Sequence, residues 1–229
     1  MNVAIIAAAG MGTRMAGKRP KQFLKLAGTP IIFHTLKPFE LCDSIHEIIL
    51  VLPASDAADF LSLANEAGLR KLSRVVAGGA TRAESVQRGL SAVSAATTEL
   101  VAVHDGVRPF VESEEITRTI ESARKYGAAV LVAPLTDTIK EVDGNEVVRT
   151  LDRTSLRRTL TPQCFRYELL RRAYEEIDIA DPSLTDDSII VERLGTKVIA
   201  VEGSSRNIKI TTQEDLKLAE AILQVVSGH

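Results

Sequence analysis

The sequence predicts an α/β fold: a doubly wound, mostly parallel sheet with a protruding β-hairpin arm. Three observations predict it. Short apolar runs recur along the 229 residues, and segments with apolar residues three and four apart lie between them. One stretch breaks that rhythm, with two alternating runs about a turn. Near-continuous apolar strands are what a parallel sheet covered on both faces requires, and strand–helix–strand repetition winds it. Right-handed crossovers then place ligands at the carboxyl ends of the strands.

Residues 3–8 (VAIIAA) form the first short buried strand, and 31–41 the first helical pattern. A second strand over 47–52 (EIILVL) is closed by Pro53 and followed by a helix over 56–67. The third, 73–77 (SRVVA), runs into Gly78-Gly79 and a helix over 81–93. The fourth, 99–104 (ELVAVH), leads to a helix over 114–126, with Ser113 as its N-cap and Ile116 and Ile120 pointing inward. The fifth, 128–133 (AAVLVA), is closed by Pro134, and a later strand over 197–201 (KVIAV) precedes a helix over 214–226. Between them, 137–153 (DTIKEVDGNEVVRTLDR) alternates on each side of Asp143-Gly144-Asn145, a hairpin turn signal. Such a hairpin is a surface flap, or an arm that pairs with a second subunit and so covers its open edges. There is no linker, low-complexity tract or internal repeat. We expect one domain over 1–229 with an arm at about 136–158.

Apolar residues make up 45% and charged residues 25%, an ordinary balance for a soluble protein. A net charge of −2 gives no general attraction to nucleic acid or to an anionic membrane, so any anion site must come from local clusters of Lys and Arg. Cys42 and Cys164 have no metal spacing, which fits a reduced cytosolic chain, and four histidines argue against a multi-histidine metal site. No apolar run approaches the ~20 residues of a membrane span. The first strand starts directly after Met1, so we expect no signal or transit peptide and a cytoplasmic protein.

Residues 7–23 read AAAGMGTRMAGKRPKQF. The dinucleotide fingerprint G-x-G-x-x-G fits Gly10 and Gly12 but meets Met15 at its third position. The P-loop pattern fits Gly12 and Gly17-Lys18, but Arg19 replaces the hydroxyl residue, and Pro20 disfavours a helical conformation there. What remains is a glycine-containing loop after the first strand, with Arg14, Lys18, Arg19, Lys21 and Lys25 around it. Backbone N–H groups of 10–12 can point at phosphate oxygens. Elsewhere, Asp105 at the carboxyl tip of the fourth strand is a magnesium ligand or a turn residue. Arg108 can meet an anion. Gly78-Gly79 allow close backbone approach to a flat base. Arg82 and Ser85, three apart, share one helical face, with Thr81 as the alternative reading, a plain cap. NIKIT (207–211) reads as a short strand with Lys209 opposite Ile208 and Ile210.

AAAGMGTRM…PKQF resembles the signature of nucleotidyltransferases that make nucleotide-linked sugars and alcohols. Among these it is most similar to the methylerythritol-phosphate cytidylyltransferase family, which joins CTP to 2-C-methyl-D-erythritol 4-phosphate in the non-mevalonate isoprenoid route. The likeness continues in order through GGATRAESVQRGL (78–90), VHDGVRPF (103–110), PLTDTIK (134–140), LDRTSL (151–156), TLTPQCF (159–165), LTDDSIIVE (184–192) and GSSRNIKIT (203–211). The resemblance implies that Arg14, Lys21 and Lys209 act on the CTP phosphates. It implies nucleotide contacts from Ala8, Ala9, Gly10, Gly12, Gly79, Arg82, Ser85 and Asp105, with Asp105 beside Mg²⁺. It assigns the second substrate to Arg108, Thr138, Arg153, Thr161 and Thr185, with Thr138 and Arg153 reaching across a homodimer. The chain departs from the family at Gly106-Val107, where Ala-Ala is commoner, and at TDDSI (185–189), where TDEAS is common.

Two rivals bracket this reading. Ribitol-5-phosphate cytidylyltransferases tend toward Leu-Ala-Gly-Gly where this chain has Ala7-Ala8-Ala9-Gly10. A non-catalytic nucleotide-binding module could dispense with Lys21, Asp105 and Lys209, and all three are present.

Overall fold

The computed structural model describes residues 1–10 and 20–227. Gly12 and Arg14 therefore lie outside the described residues, as does most of the basic loop.

Seven strands form the central sheet: β1 (Asn2–Ala7), β4 (Glu47–Leu52), β5 (Leu72–Ala77), β6 (Leu100–Asp105), β7 (Ala128–Pro134), β10 (Arg157–Arg166) and β11 (Ile199–Glu202). Two further strands, β2 (Lys25–Leu26) and β3 (Thr29–Pro30), make a small ribbon, and β8 (Lys140–Asp143) and β9 (Glu146–Thr150) make the hairpin. The helices are α1 (Ile31–Leu41), α2 (Ala54–Glu66), α3 (Arg82–Ser91), α4 (Ser113–Tyr126), α5 (Tyr167–Glu176), α6 (Asp187–Glu192) and α7 (Gln213–Ser227).

The sheet order is β11-β7-β10-β6-β1-β4-β5. Its pairs are parallel except those of β10, which runs antiparallel to both β6 and β7. The side-chain period of two sends alternate residues of β1 to opposite faces. Ala4 and Ile6 join a core with Leu36 and Phe39 of α1, Phe60 of α2 and Ile116 and Ile120 of α4. Val3 and Ile5 join another with Val86 and Leu90 of α3, Leu170 of α5 and Ile190 of α6. A third cluster, around Leu26, Ile31, Val107, Ile210 and Ala219, seats α7 beside the ribbon.

The alternation of apolar strands and amphipathic helices is as the sequence predicts, with ends shifted by one or two residues. Four local expectations are corrected. The strand β10 was not anticipated, because Pro162 and a run of polar residues argue against a central strand. The structure accommodates Pro162 at an irregularity, where the register with β7 shifts between Thr159 and Gln163. Helices α5 and α6 were likewise missed. The cap of α4 is Glu112, in a reciprocal capping box with Glu115, while the Ser113 hydroxyl donates to Pro38 O at 3.0 Å. Finally, 207–211 joins no sheet ladder. It is an irregular segment whose Ile210 N–H donates to Val107 O at 2.9 Å.

The hairpin closes through Gly144, whose φ of 56° suits glycine at a tight turn. Residues 140–150 are exposed throughout, including Val142, Val147 and Val148.

Candidate active site

Hydrogen bonding continues past the strand ends and sets three loop starts side by side. Ala8 N–H donates to Val51 O, Gly78 N–H to Leu52 O and Gly106 N–H to Ala7 O, at 2.8–2.9 Å. The approach is tight. A Cβ added to Gly78 would lie 2.1 Å from the Ala9 Cβ, and one added to Gly106 would lie 2.5 Å from the Ala8 Cβ. These small residues interlock, so the backbone of the first loop is held against its neighbours. A side chain at 106 would need Ala8 to shift.

A cavity of about 550 Å³ opens at this rim, lined by Ala8, Ala9, Gly10, Lys21, Gly79, Arg82, Ser85, Asp105 and Lys209, among others. The N-terminus of α3 forms one wall. Its cap Thr81 accepts from Glu84 N–H at 3.1 Å, and Glu84 Oε2 accepts from Ala80 N–H at 2.9 Å. Ser85 Oγ donates to Thr81 O at 2.8 Å and accepts from Gly79 N–H at 3.1 Å, which ties the glycine turn to the helix. Thr81 as cap and the placement of Arg82 and Ser85 at the cavity hold together.

A second cavity, about 220 Å³, is lined by Arg82, Asp105, Arg108, Thr159, Thr161, Gln163, Thr185, Asp186 and Lys209, among others. Arg82, Asp105 and Lys209 thus form a common wall. Asp105 is its hub. Oδ1 accepts from Arg82 Nε at 3.0 Å, while Oδ2 meets Arg108 Nε at 3.2 Å and Lys209 Nζ at 3.0 Å. Burial pushes the Asp105 carboxyl up, but Arg82, Lys209 and Arg108 outweigh it and hold it well below the usual carboxylate range. Asp105 thus gathers three cations at the wall, one of which also pairs with a second carboxylate, Asp187, described below.

Sequence reasoning missed the groups behind this wall. Arg82 Nη2 donates to Asp187 Oδ2 at 2.8 Å, and Tyr174 OH donates to Asp187 Oδ1 at 2.6 Å. Asp187 is fully buried. Burial would push the Arg82 guanidinium down, but Asp187 and Asp105 raise it well above its usual value. Gln163 Oε1 accepts from the N–H groups of Asp187 and Ser188 at 3.0 and 2.9 Å, which fixes the start of α6. The only hint in the sequence was the TDDSI block itself.

His104 lies fully buried behind Asp105, its ring 4.8 Å from that of Phe39. Burial holds its pKa down at about 4, and the facing charges are Asp105, which raises it, and Arg108, which lowers it. In the unfolded chain the imidazole takes up its proton near pH 6.5. The unfolded state therefore binds more protons between pH 6.5 and 4, and stability falls as pH falls through that window. We expect a loss of about 3 kcal/mol from this group, read by urea unfolding at stepped pH. A His104→Phe variant should have a flatter profile over the same range; an unchanged slope would contradict the assignment.

Two expected residues do not reach the site from their own chain. Thr138 and Arg153 line neither cavity, and both are exposed, with the Arg153 guanidinium bonded to Thr136 O. Thr185 does line the smaller cavity.

A cationic cleft at the carboxyl ends of a doubly wound sheet, sharing a wall with a second anion-suited cavity, defines the protein as a nucleotidyltransferase. Comparison with known proteins narrows that class. The family described as "IspD: 2-C-methyl-D-erythritol 4-phosphate cytidylyltransferase" matches residues 2–225, and the chain belongs to that family. A curated 2-C-methyl-D-erythritol 4-phosphate cytidylyltransferase of Bacillus velezensis is 44% identical over 99% of this chain and 97% of its own. That of Halalkalibacterium halodurans is 43% identical over 96% and 95%. Among solved structures, 4-diphosphocytidyl-2C-methyl-D-erythritol synthase of Anaerococcus prevotii superposes with a TM-score of 0.85 at 35% identity, covering 97% of this chain and 98% of that one. The Thermus thermophilus cytidylyltransferase gives 0.77 at 35% identity, covering 96% and 98%.

Proposed function

We propose that this chain transfers the cytidylyl group of CTP to 2-C-methyl-D-erythritol 4-phosphate and releases pyrophosphate. The observation that carries the reading is the Asp105 hub. Around it, Arg82 and Lys209 stand on a wall common to two cavities and Arg108 on the smaller one, in a chain whose family spans nearly its whole length.

The attacking phosphate is already ionised near neutral pH, since a phosphate monoester's second pKa is ~6. No general base is needed. The obstacle is bringing two polyanions together, and such chemistry is managed by positioning and electrostatic stabilisation. Lys21 and Lys209, with Arg14 from the loop, are assigned to the CTP phosphates and to the charge that develops at the α-phosphorus. Ala8, Ala9, Gly10 and Gly79 give the base and ribose a floor of small residues; Gly12 is assigned to the same nucleotide on the sequence pattern. Ser85 supports that floor by holding Gly79. Arg108 and Thr185 face the incoming phosphate in the smaller cavity.

The residues fit a divalent cation, Mg²⁺ first. Among the described residues, Oδ1 of Asp105 accepts only from Arg82, which leaves one lone-pair direction, and no cluster of three metal-ligating side chains exists. Asp105 would be the protein's single ligand, the rest coming from phosphates and water. Such a cation would supply charge neutralisation for the phosphates.

The arm is assigned to a homodimer. Its exposed Val142, Val147 and Val148 gain cover from a second copy, and Thr138 and Arg153 gain a cavity to serve. We expect Arg153→Ala to raise KM for the alcohol phosphate about tenfold or more while leaving KM for CTP within about twofold, the scale of losing one charge-assisted bond. Equal shifts in both would argue against a trans contribution. No helix among the described residues is long and apolar enough to cross a membrane.

The test of function is release of pyrophosphate on mixing the chain with CTP, methylerythritol phosphate and Mg²⁺. A preference for ribitol 5-phosphate in the same assay would reassign the second substrate.

A further inference from the structure

Three buried polar residues behind the wall hydrogen-bond to one another and to its charged groups. His104 is the penultimate residue of β6, Thr161 sits at the irregularity of β10, and Asn207 lies in the segment before α7. All three are at most 3% exposed. Their hydrogen bonds form one chain. His104 Nε2 lies 3.1 Å from Arg108 O, a carbonyl that can only accept, so Nε2 carries the ring proton. His104 Nδ1 lies 2.9 Å from Thr161 Oγ1. A second ring proton there would make a buried imidazolium close to the Arg108 guanidinium, so Nδ1 accepts and the Thr161 hydroxyl donates. That hydroxyl in turn accepts from Asp105 N–H at 3.2 Å. Asn207 Nδ2 donates to Thr161 O at 2.8 Å, and Arg108 Nη1 donates to Asn207 O at 3.0 Å.

A threonine hydroxyl has one proton to give. Here it goes to His104 and is not available to a substrate oxygen. The family resemblance counts Thr161 among the substrate contacts, and the geometry gives its hydroxyl a different use.

We propose that His104, Thr161 and Asn207 are positioning residues: a buried brace that ties β6, β10 and the 207–209 segment together and so aims Asp105, Arg108 and Lys209 at the wall between the two cavities. Each tie leads to one functional group. Thr161 holds the Asp105 backbone. His104 and Asn207 hold Arg108 at its carbonyl and its guanidinium. Asn207 also anchors the segment that presents Lys209 two residues on. The brace sits where the antiparallel strand enters the sheet, just past the last β10–β6 pair, Gln163 with Val103, and within the register shift against β7. The proposal rests on the function given above. Pyrophosphate release by the unaltered chain tests that function, and the variants below test the brace.

The test is Thr161→Val, a near-isosteric change that deletes the hydroxyl, beside Thr161→Ser, which keeps it. In the full-length protein with saturating Mg²⁺, Thr161→Val should lower kcat about tenfold, the scale of one net hydrogen bond at the top of its range. KM for CTP and for the alcohol phosphate should shift together, because Asp105 faces both cavities. Thr161→Ser should recover most of kcat. A rise in KM for the alcohol phosphate alone, with kcat kept, would overturn the brace in favour of a direct contact. The wild-type protein offers a check that depends on no variant folding. Nitrogen NMR of the histidine-labelled chain, with only four histidines to assign, should show His104 protonated at Nε2 and bare at Nδ1 at pH 7.5. A proton on Nδ1 would overturn the proposal.

Discussion

Lys21→Ala should lose ~2–4 kcal/mol of transition-state stabilisation, a fall of about 10²–10³ in kcat, the scale seen on removing one preorganised donor from a charge-developing site. The reasoning is local. Lys21 follows Pro20 in a one-turn 3₁₀ segment, Lys21–Phe23, and lines the larger cavity beside Gly10. The neighbouring Gln22 is 1% exposed, and the ribbon that follows packs Leu26 into the third core cluster, so the lysine's backbone is anchored although its side chain faces the cavity. A cation at a fixed place costs no reorganisation as charge moves toward the leaving pyrophosphate. Loss of that cation should therefore act on kcat more than on KM for CTP. Unfolding in urea should be within about 0.5 kcal/mol of the parent, because a partly exposed side chain is removed. Near-normal kcat would remove Lys21 from the mechanism.

The largest effect on stability is expected from Arg82→Ala, which should cost about 3–5 kcal/mol. Removing one partner of a buried pair leaves the other charge without compensation. Asp187 is fully buried, and the described groups that answer its carboxylate are Arg82 and Tyr174 OH. Asp105 would keep Arg108 and Lys209. Adding Asp187→Asn to Arg82→Ala should recover a good part of the loss, since an amide needs no counter-charge. The double-mutant cycle reads this coupling. Additive effects, or a single-variant cost under about 1 kcal/mol, would mean that Arg82 and Asp187 do not interact as described. Because Arg82 also forms part of both cavities, Arg82→Ala should lose activity at temperatures where it is still folded.

The sequence announced the fold well where one physical rule governed a segment. The strand over 47–52 is bounded by Pro53 and apolar from Ile48 on, and the expected bounds match the observed ones. The hairpin was visible because Gly144 marks a turn between alternating runs. It failed where rules compete. Pro162 argues against a central strand, yet the irregularity at Thr159–Gln163 takes the proline without sacrificing the ladder on either side. Tyr167, Leu170, Ala173 and Tyr174 face the core of α5 at helical spacing, so that helix could have been found.

The site divides in the same way. Asp105 and Lys209 could be singled out by position at a strand tip and by resemblance, and they meet at 3.0 Å. The Arg82–Asp187 pair spans 105 positions and leaves no local pattern. Nor does the bond between His104 and Thr161, which depends on β10 entering the sheet beside β6. Long-range partners of buried polar groups follow from topology, and topology was only partly legible.

The most direct measurement is coupled detection of pyrophosphate from the purified chain with CTP, Mg²⁺ and either 2-C-methyl-D-erythritol 4-phosphate or ribitol 5-phosphate. The account predicts one pyrophosphate per cytidylyl group transferred, with methylerythritol phosphate, and none when either substrate is left out. No release with both present, from a chain that binds CTP and is folded, would contradict it.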